Sequence, residues 1–170
     1  PLLSSAESLF SQGERLIPRN GDPPDPSRPP RWKEAGVLFA QSAQLFGQAG
    51  NDRRRARALH QQAWCLRPGH DPDGTWEETV RLFDEAARLS RKAGDRGGWA
   101  VSWRMRGTSL QPDENPDGDW STALAIGHRA SRMALESSEA DLRAKEARIR
   151  SIVDTAPEAA ICVIAVIYLV

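Results

Sequence analysis

Cys65-Leu-Arg-Pro-Gly-His-Asp-Pro-Asp-Gly-Thr-Trp76 recurs, without a gap, as Ser109-Leu-Gln-Pro-Asp-Glu-Asn-Pro-Asp-Gly-Asp-Trp120. Six of the twelve positions are identical, where average composition gives roughly one. The shift is 44 residues, and it also takes Trp32 to Trp76 and Ala49-Gly50-Asn51 to Ala93-Gly94-Asp95. Ala56 passes to Ala100 and then Ala144 under the same step. A period of this length marks a helical array.

Each tryptophan opens an apolar pattern of helical period: Trp32, Ala35, Phe39, Ala43, Phe46; Trp76, Val80, Phe83, Ala87; Trp120, Ala123, Ile126, Ala130, Met133. Thr75 with Glu78 predicts a capping box, and Asp119 the matching cap before Trp120. Gly50 and Gly94 predict left-handed helix ends. A second helix follows each, through Ala56, Leu59, Ala63, Leu66 and through Ala100, Trp103, Gly107, Leu110, stopped by Pro68 and Pro112. A third copy is expected from Ala140 to Asp154, and an earlier one from Leu3 to Ile17. Ala63 and Gly107 sit where a close helix–helix approach offsets the helix-propensity cost. The layout is therefore a first helix at 1–17, a stiff Pro-rich connector at 18–31, repeats at 32–155 and an apolar segment at 156–170.

The 170 residues carry 23 Lys and Arg against 23 Asp and Glu. Zero net charge disfavours a general nucleic-acid binder. Two cysteines, Cys65 and Cys162, build neither a disulfide framework nor a four-ligand zinc site, so a reducing, cytoplasmic setting is expected. No secretory signal opens the chain. The Asp71-Pro-Asp73-Gly74 and Asn115-Pro-Asp117-Gly118 stretches read as turns leading to N-caps; a calcium loop needs about six oxygen ligands. His60, His70 and His128 are scattered, no Ser or Cys sits on a nucleophile-like turn, and Cys65 reads as a buried structural thiol. No enzyme, metal site or cofactor is expected.

The small–large–small series Ala35, Phe39, Ser42, then Thr79, Phe83, Ala86, then Ala123, Gly127, Ala130 resembles the second helix of the tetratricopeptide repeat. Gly13 with Leu16, Ala63 with Leu66 and Gly107 with Leu110 resemble its first helix. Gly127 departs from the large position, with Ile126 beside it to fill the space, and Ser151 and Asp154 depart in the last first-type helix. The usual period is 34 residues. Here ten more are placed in the Pro-Asp-Gly loop. HEAT-like and Sel1-like helical repeats stay open as alternatives.

The resemblance covers about residues 3–155. It implies an all-α, right-handed α-solenoid of antiparallel helix pairs, about seven helices plus the apolar C-terminal segment. It implies a scaffold or adaptor whose first-type helices line a groove, with Arg57, His60, Trp64, Arg104, Thr108, Lys145 and Arg148 facing it. Residues 53–67 carry five arginines and no acid, and 96–111 carry three and no acid, so an acidic peptide or protein is the expected partner. Larger bacterial proteins of similar kind place such an array before a caspase-like peptidase or a nucleotide-binding switch. This chain read as their sensor segment is the alternative.

Ala159 to Val170 is twelve apolar residues, short of the ~20 that span a membrane. Ile161, Val163, Ile164, Ile167, Tyr168 and Leu169 are candidates for homo-oligomer contact, with membrane contact less favoured. A final apolar helix that caps the array or inserts into a neighbouring subunit, and a strand opening a further domain, are other readings of the same residues.

Overall fold

The computed structural model describes residues 1–18, 27 and 29–155. The described secondary structure is six helices: α1 (Leu2–Leu16), α2 (Trp32–Gln48), α3 (Asp52–Cys65), α4 (Trp76–Lys92), α5 (Arg96–Thr108) and α6 (Trp120–Thr155). The apolar segment 156–170 and most of the Pro-rich connector lie outside the described residues. The chain divides into two compact units, residues 1–133 and 134–170.

Two kinds of connection build the first unit. The short kind ends one helix and starts the next with three residues between them. Gly50 and Gly94 take φ of 68° and 70°, the left-handed region that only glycine enters freely. The N–H of Asn51 then donates to the Phe46 carbonyl at 2.9 Å, and that of Asp95 to the Ser90 carbonyl at 2.8 Å. The same two residues cap the following helix: the Asn51 side chain accepts from Arg54 N–H at 3.1 Å and the Asp95 side chain from Gly98 N–H at 2.9 Å. A connection this tight lays α3 back along α2, and α5 back along α4.

The long kind is the Pro-Asp-Gly loop. The Asp71 carboxylate accepts from Asp73 N–H at 3.1 Å and the Asn115 amide oxygen from Asp117 N–H at 3.1 Å. Gly74 and Gly118 donate back to the carbonyls of Asp71 and Asn115. The turn reading therefore holds at both copies. Thr75 accepts from Glu78 N–H at 3.2 Å and Asp119 from Thr122 N–H at 2.8 Å, which starts α4 and α6. Only half of the expected capping box forms, because the Glu78 carboxylate turns to Arg81.

Packing runs between chain neighbours, α1 on α2, α2 on α3, α3 on α4 and α4 on α5, with α3 also meeting α5. Phe39, Phe46, Phe83 and Leu82 are the large, fully buried side chains, each worth roughly 1.5–3 kcal/mol of burial. Small residues set the spacing. A Cβ on Gly13 would sit 2.9 Å from Phe39 Cζ, and one on Gly107 would sit 2.8 Å from Ile126 Cγ2. Ile126 thus fills the place that Gly127 leaves, as its neighbour position implies.

The expectation of seven helices is corrected to six among the described residues. No separate helix begins at Ala140, because α6 runs unbroken from Trp120 to Thr155. The 44-residue step explains it. Gly50 and Gly94 fall on Ser138, and the caps Asn51 and Asp95 fall on Glu139. Neither replacement favours a left-handed stop or an N-cap. In the second unit the described part of α6 is mostly exposed, with Arg143 and Glu139 paired at 3.5 Å.

Candidate functional site

Polar side chains link α3 to both α1 and α5. Arg54 Nε meets Glu7 at 3.2 Å and Arg57 meets Glu14 at 2.9 Å, joining α3 to α1. The Arg57 guanidinium also lies over the Phe10 ring, 4.8 Å from its centroid. Arg53 meets Asp95 at 3.3 Å, and His60 Nδ1 shares a 3.0 Å hydrogen bond with Ser102 Oγ, joining α3 to α5.

The acid-free run of α3 is therefore matched by acids from other elements: Glu7 and Glu14 of α1, Asp95 before α5, and Glu85 of α4, which holds Arg55 at 2.7 Å. Arg104 of α5 is different. It is exposed and holds no ion pair among the described residues. Its charge acts on His60, which is half-buried, bonded to Ser102 of α5 and edge-on to Phe83. Burial, and then Arg104, bring the His60 imidazole down to about 4, so the ring is neutral at ordinary pH. Thr108 is half-buried, and its hydroxyl donates to the Arg104 carbonyl at 3.3 Å. Lys145 and Arg148 are exposed on α6 in the second unit. Ile161, Val163, Ile164, Ile167, Tyr168 and Leu169 lie outside the described residues.

Trp64 belongs to an aromatic cluster at the other end of α3, which the scattered histidines did not reveal. His70 stacks on Trp32 with centroids 4.0 Å apart, and meets Trp64 edge-on at 5.3 Å. Its Nδ1–H donates to the Trp64 carbonyl at 2.8 Å. Burial is the main reason its basicity is lowered, with Arg67 adding to it. Arg67 lies over Trp64 at 4.8 Å and Trp76 at 5.5 Å, and pairs with Glu114 of the next loop. His70 and Glu114 occupy equivalent loop positions, but only His70 carries a ring, so the 44-residue step does not signal this cluster. Trp120 differs from Trp32 and Trp76: it is 46% exposed.

Cys65 is a free, buried thiol, pushed up to about 12 by burial and by the charge of Asp71. A thiol held protonated in this way is a poor nucleophile. Among the described residues, no group of three or more His, Cys, Asp or Glu is placed to hold a metal ion, and no helix is long and apolar enough to cross a membrane. No family model matches the chain, and neither a curated protein nor a solved structure matches it.

Proposed function

We propose that the chain is a non-catalytic, cytoplasmic scaffold of tetratricopeptide-like solenoid form, and that the side made by α1, α3 and α5 receives an acidic segment of a protein partner. The observation that carries this reading is the contrast between Arg104 and its counterparts on α3. Four arginines of α3 have internal carboxylates, while the Arg104 guanidinium keeps its N–H fork for a ligand. Val101, 44% exposed one turn earlier, offers an apolar contact beside it. Arg57, His60, Trp64 and Thr108 frame this side. Their internal bonds hold the helices in place, so ligand binding orders little that is not already ordered.

A fluorescent peptide rich in Asp and Glu, titrated with the protein at low salt, tests the reading. Arg104→Glu is expected to weaken binding about tenfold or more, while Arg88→Glu, an exposed cation of α4, leaves it near wild type. Equal weakening by both variants, or by neither, contradicts the assignment.

A further inference from the structure

The contact of α5 with α6 breaks the charge pattern of the helix pair before it. Between α3 and α4, Arg55 holds Glu85 at 2.7 Å. The 44-residue step turns Arg55 into Trp99 of α5 and Glu85 into Arg129 of α6, so the carboxylate is gone and the cation has changed helix. The same step turns the buried Leu59 into Trp103. Two guanidinium groups lie over that indole, Arg106 at 5.0 Å and Arg129 at 5.5 Å from the ring centroid. Arg106 keeps a carboxylate, Asp84 of α4, at 3.2 Å. Arg129 is exposed and holds no ion pair among the described residues.

The ring is surrounded by donors that lack acceptors. The indole N–H of Trp103 is buried with no hydrogen-bond partner. So is Nε of Arg106, which meets Asp84 as an ion pair without hydrogen-bond alignment. A buried donor without an acceptor carries a desolvation cost. Helix α5 and residues 120–133 of α6 together hold five arginines and no Asp or Glu, so these helices supply no anion of their own.

We propose that Arg129, seated over Trp103, binds an oxyanion of a ligand, a phosphate or a carboxylate group. Contact with the indole occupies the face of the guanidinium and leaves its N–H edges for two oxygens. Trp103 is the positioning residue and Arg129 makes the contact. A cationic ligand would meet like charge here, so the ligand is an anion. The site stands apart from the proposed groove, because it uses Arg129 and the α5–α6 contact and does not use Arg104. The two proposals can therefore fail separately.

The test follows the Trp103 indole N–H resonance in the isotope-labelled full chain, assigned with Trp103→Phe. Sodium pyrophosphate or an oligo-aspartate peptide is added, with sodium chloride at matched ionic strength as the reference. A saturable shift, half-complete below about 10 mM, is expected. A shift with pyrophosphate alone identifies the ligand group as phosphate, and one with the peptide alone as carboxylate. Arg129→Gln is expected to weaken the response about tenfold or more. Arg129→Lys restores little of it, because an ammonium lacks the planar fork. Arg129 is exposed, so both variants are expected to fold, which the other indole resonances check. Arg104→Gln leaves the pyrophosphate response in place. Absence of a saturable shift overturns the proposal, as does an equal shift with sodium chloride or an unchanged response in Arg129→Gln. Loss of the response in Arg104→Gln with retention in Arg129→Gln moves the anion to the groove and also overturns it.

Discussion

The imidazole of His70 lies flat on the indole of Trp32, with ring planes 7° from parallel and 37 residues of chain between them. The stack ties the loop after α3 to the start of α2, while the Nδ1–H bond to Trp64 ties it to its own helix. His70→Ala removes both links, and we expect a loss of about 1–3 kcal/mol in urea unfolding. In a Trp32→Ala background the same change is expected to cost clearly less, because the stack is already gone. Equal costs in both backgrounds would show that the ring contact contributes nothing.

Glycines at the helix contacts sort by what a methyl group would meet. At Gly107 it would press on Ile126 Cγ2 at 2.8 Å and the Ala123 carbonyl at 3.2 Å. Gly107→Ala is expected to destabilise by about 1–3 kcal/mol despite its better helix propensity. Gly127 has nothing within 4 Å, and Gly127→Ala is expected to stabilise by about 1 kcal/mol. Thermal unfolding of the two variants checks the pair; the same sign for both contradicts the packing described.

His60 gives stability a pH dependence of definite sign. Its folded value, about 4, lies below the ordinary 6.5. Between those values the unfolded chain binds more protons, so this contribution is fully present above 6.5, is lost as pH falls, and levels off below about 4. The size is about 3 kcal/mol by linkage. The charged neighbour is Arg104, and Ser102 and Phe83 are the other groups facing the ring. His60→Gln is expected to flatten the stability profile between pH 4 and 6.5 relative to wild type; an unchanged slope assigns it to other groups.

Gly50 and Gly94 show how a left-handed stop is made, and Ser138 with Glu139 show it missing. Ser138→Gly with Glu139→Asp restores both signals, and we expect circular dichroism to report a loss of helix, since α6 then contains an interior glycine worth about 1 kcal/mol against Ala. An unchanged or increased helix signal contradicts the account of why α6 is continuous.

The elements that recur were legible because a recurring local device writes itself into sequence. Gly50-Asn51 and Gly94-Asp95 each mark a stop and a start, and Asp71 and Asn115 each mark the same loop. The continuity of α6 was written in the same register, at Ser138 and Glu139, but an apolar pattern that continues past them hides it. The neutralised face of α3 was not legible. Glu14 is 43 residues from Arg57 and Glu85 is 30 from Arg55, so charge counted along one helix misses the partner that packing supplies. The His70 stack was hidden for a related reason: its counterpart Glu114 has no ring, so no aromatic pattern repeats.

The placement of α1 and α5 beside α3 underlies the proposed function, and one measurement reaches it directly. In a nuclear Overhauser spectrum of the full chain, the account predicts cross-peaks from the His60 ring to the Ser102 β-protons, and from the Phe10 ring to the Arg57 side chain. Their joint absence, in a sample whose Phe10–Phe39 contact is visible, would contradict the arrangement of the first-type helices and the groove built on it.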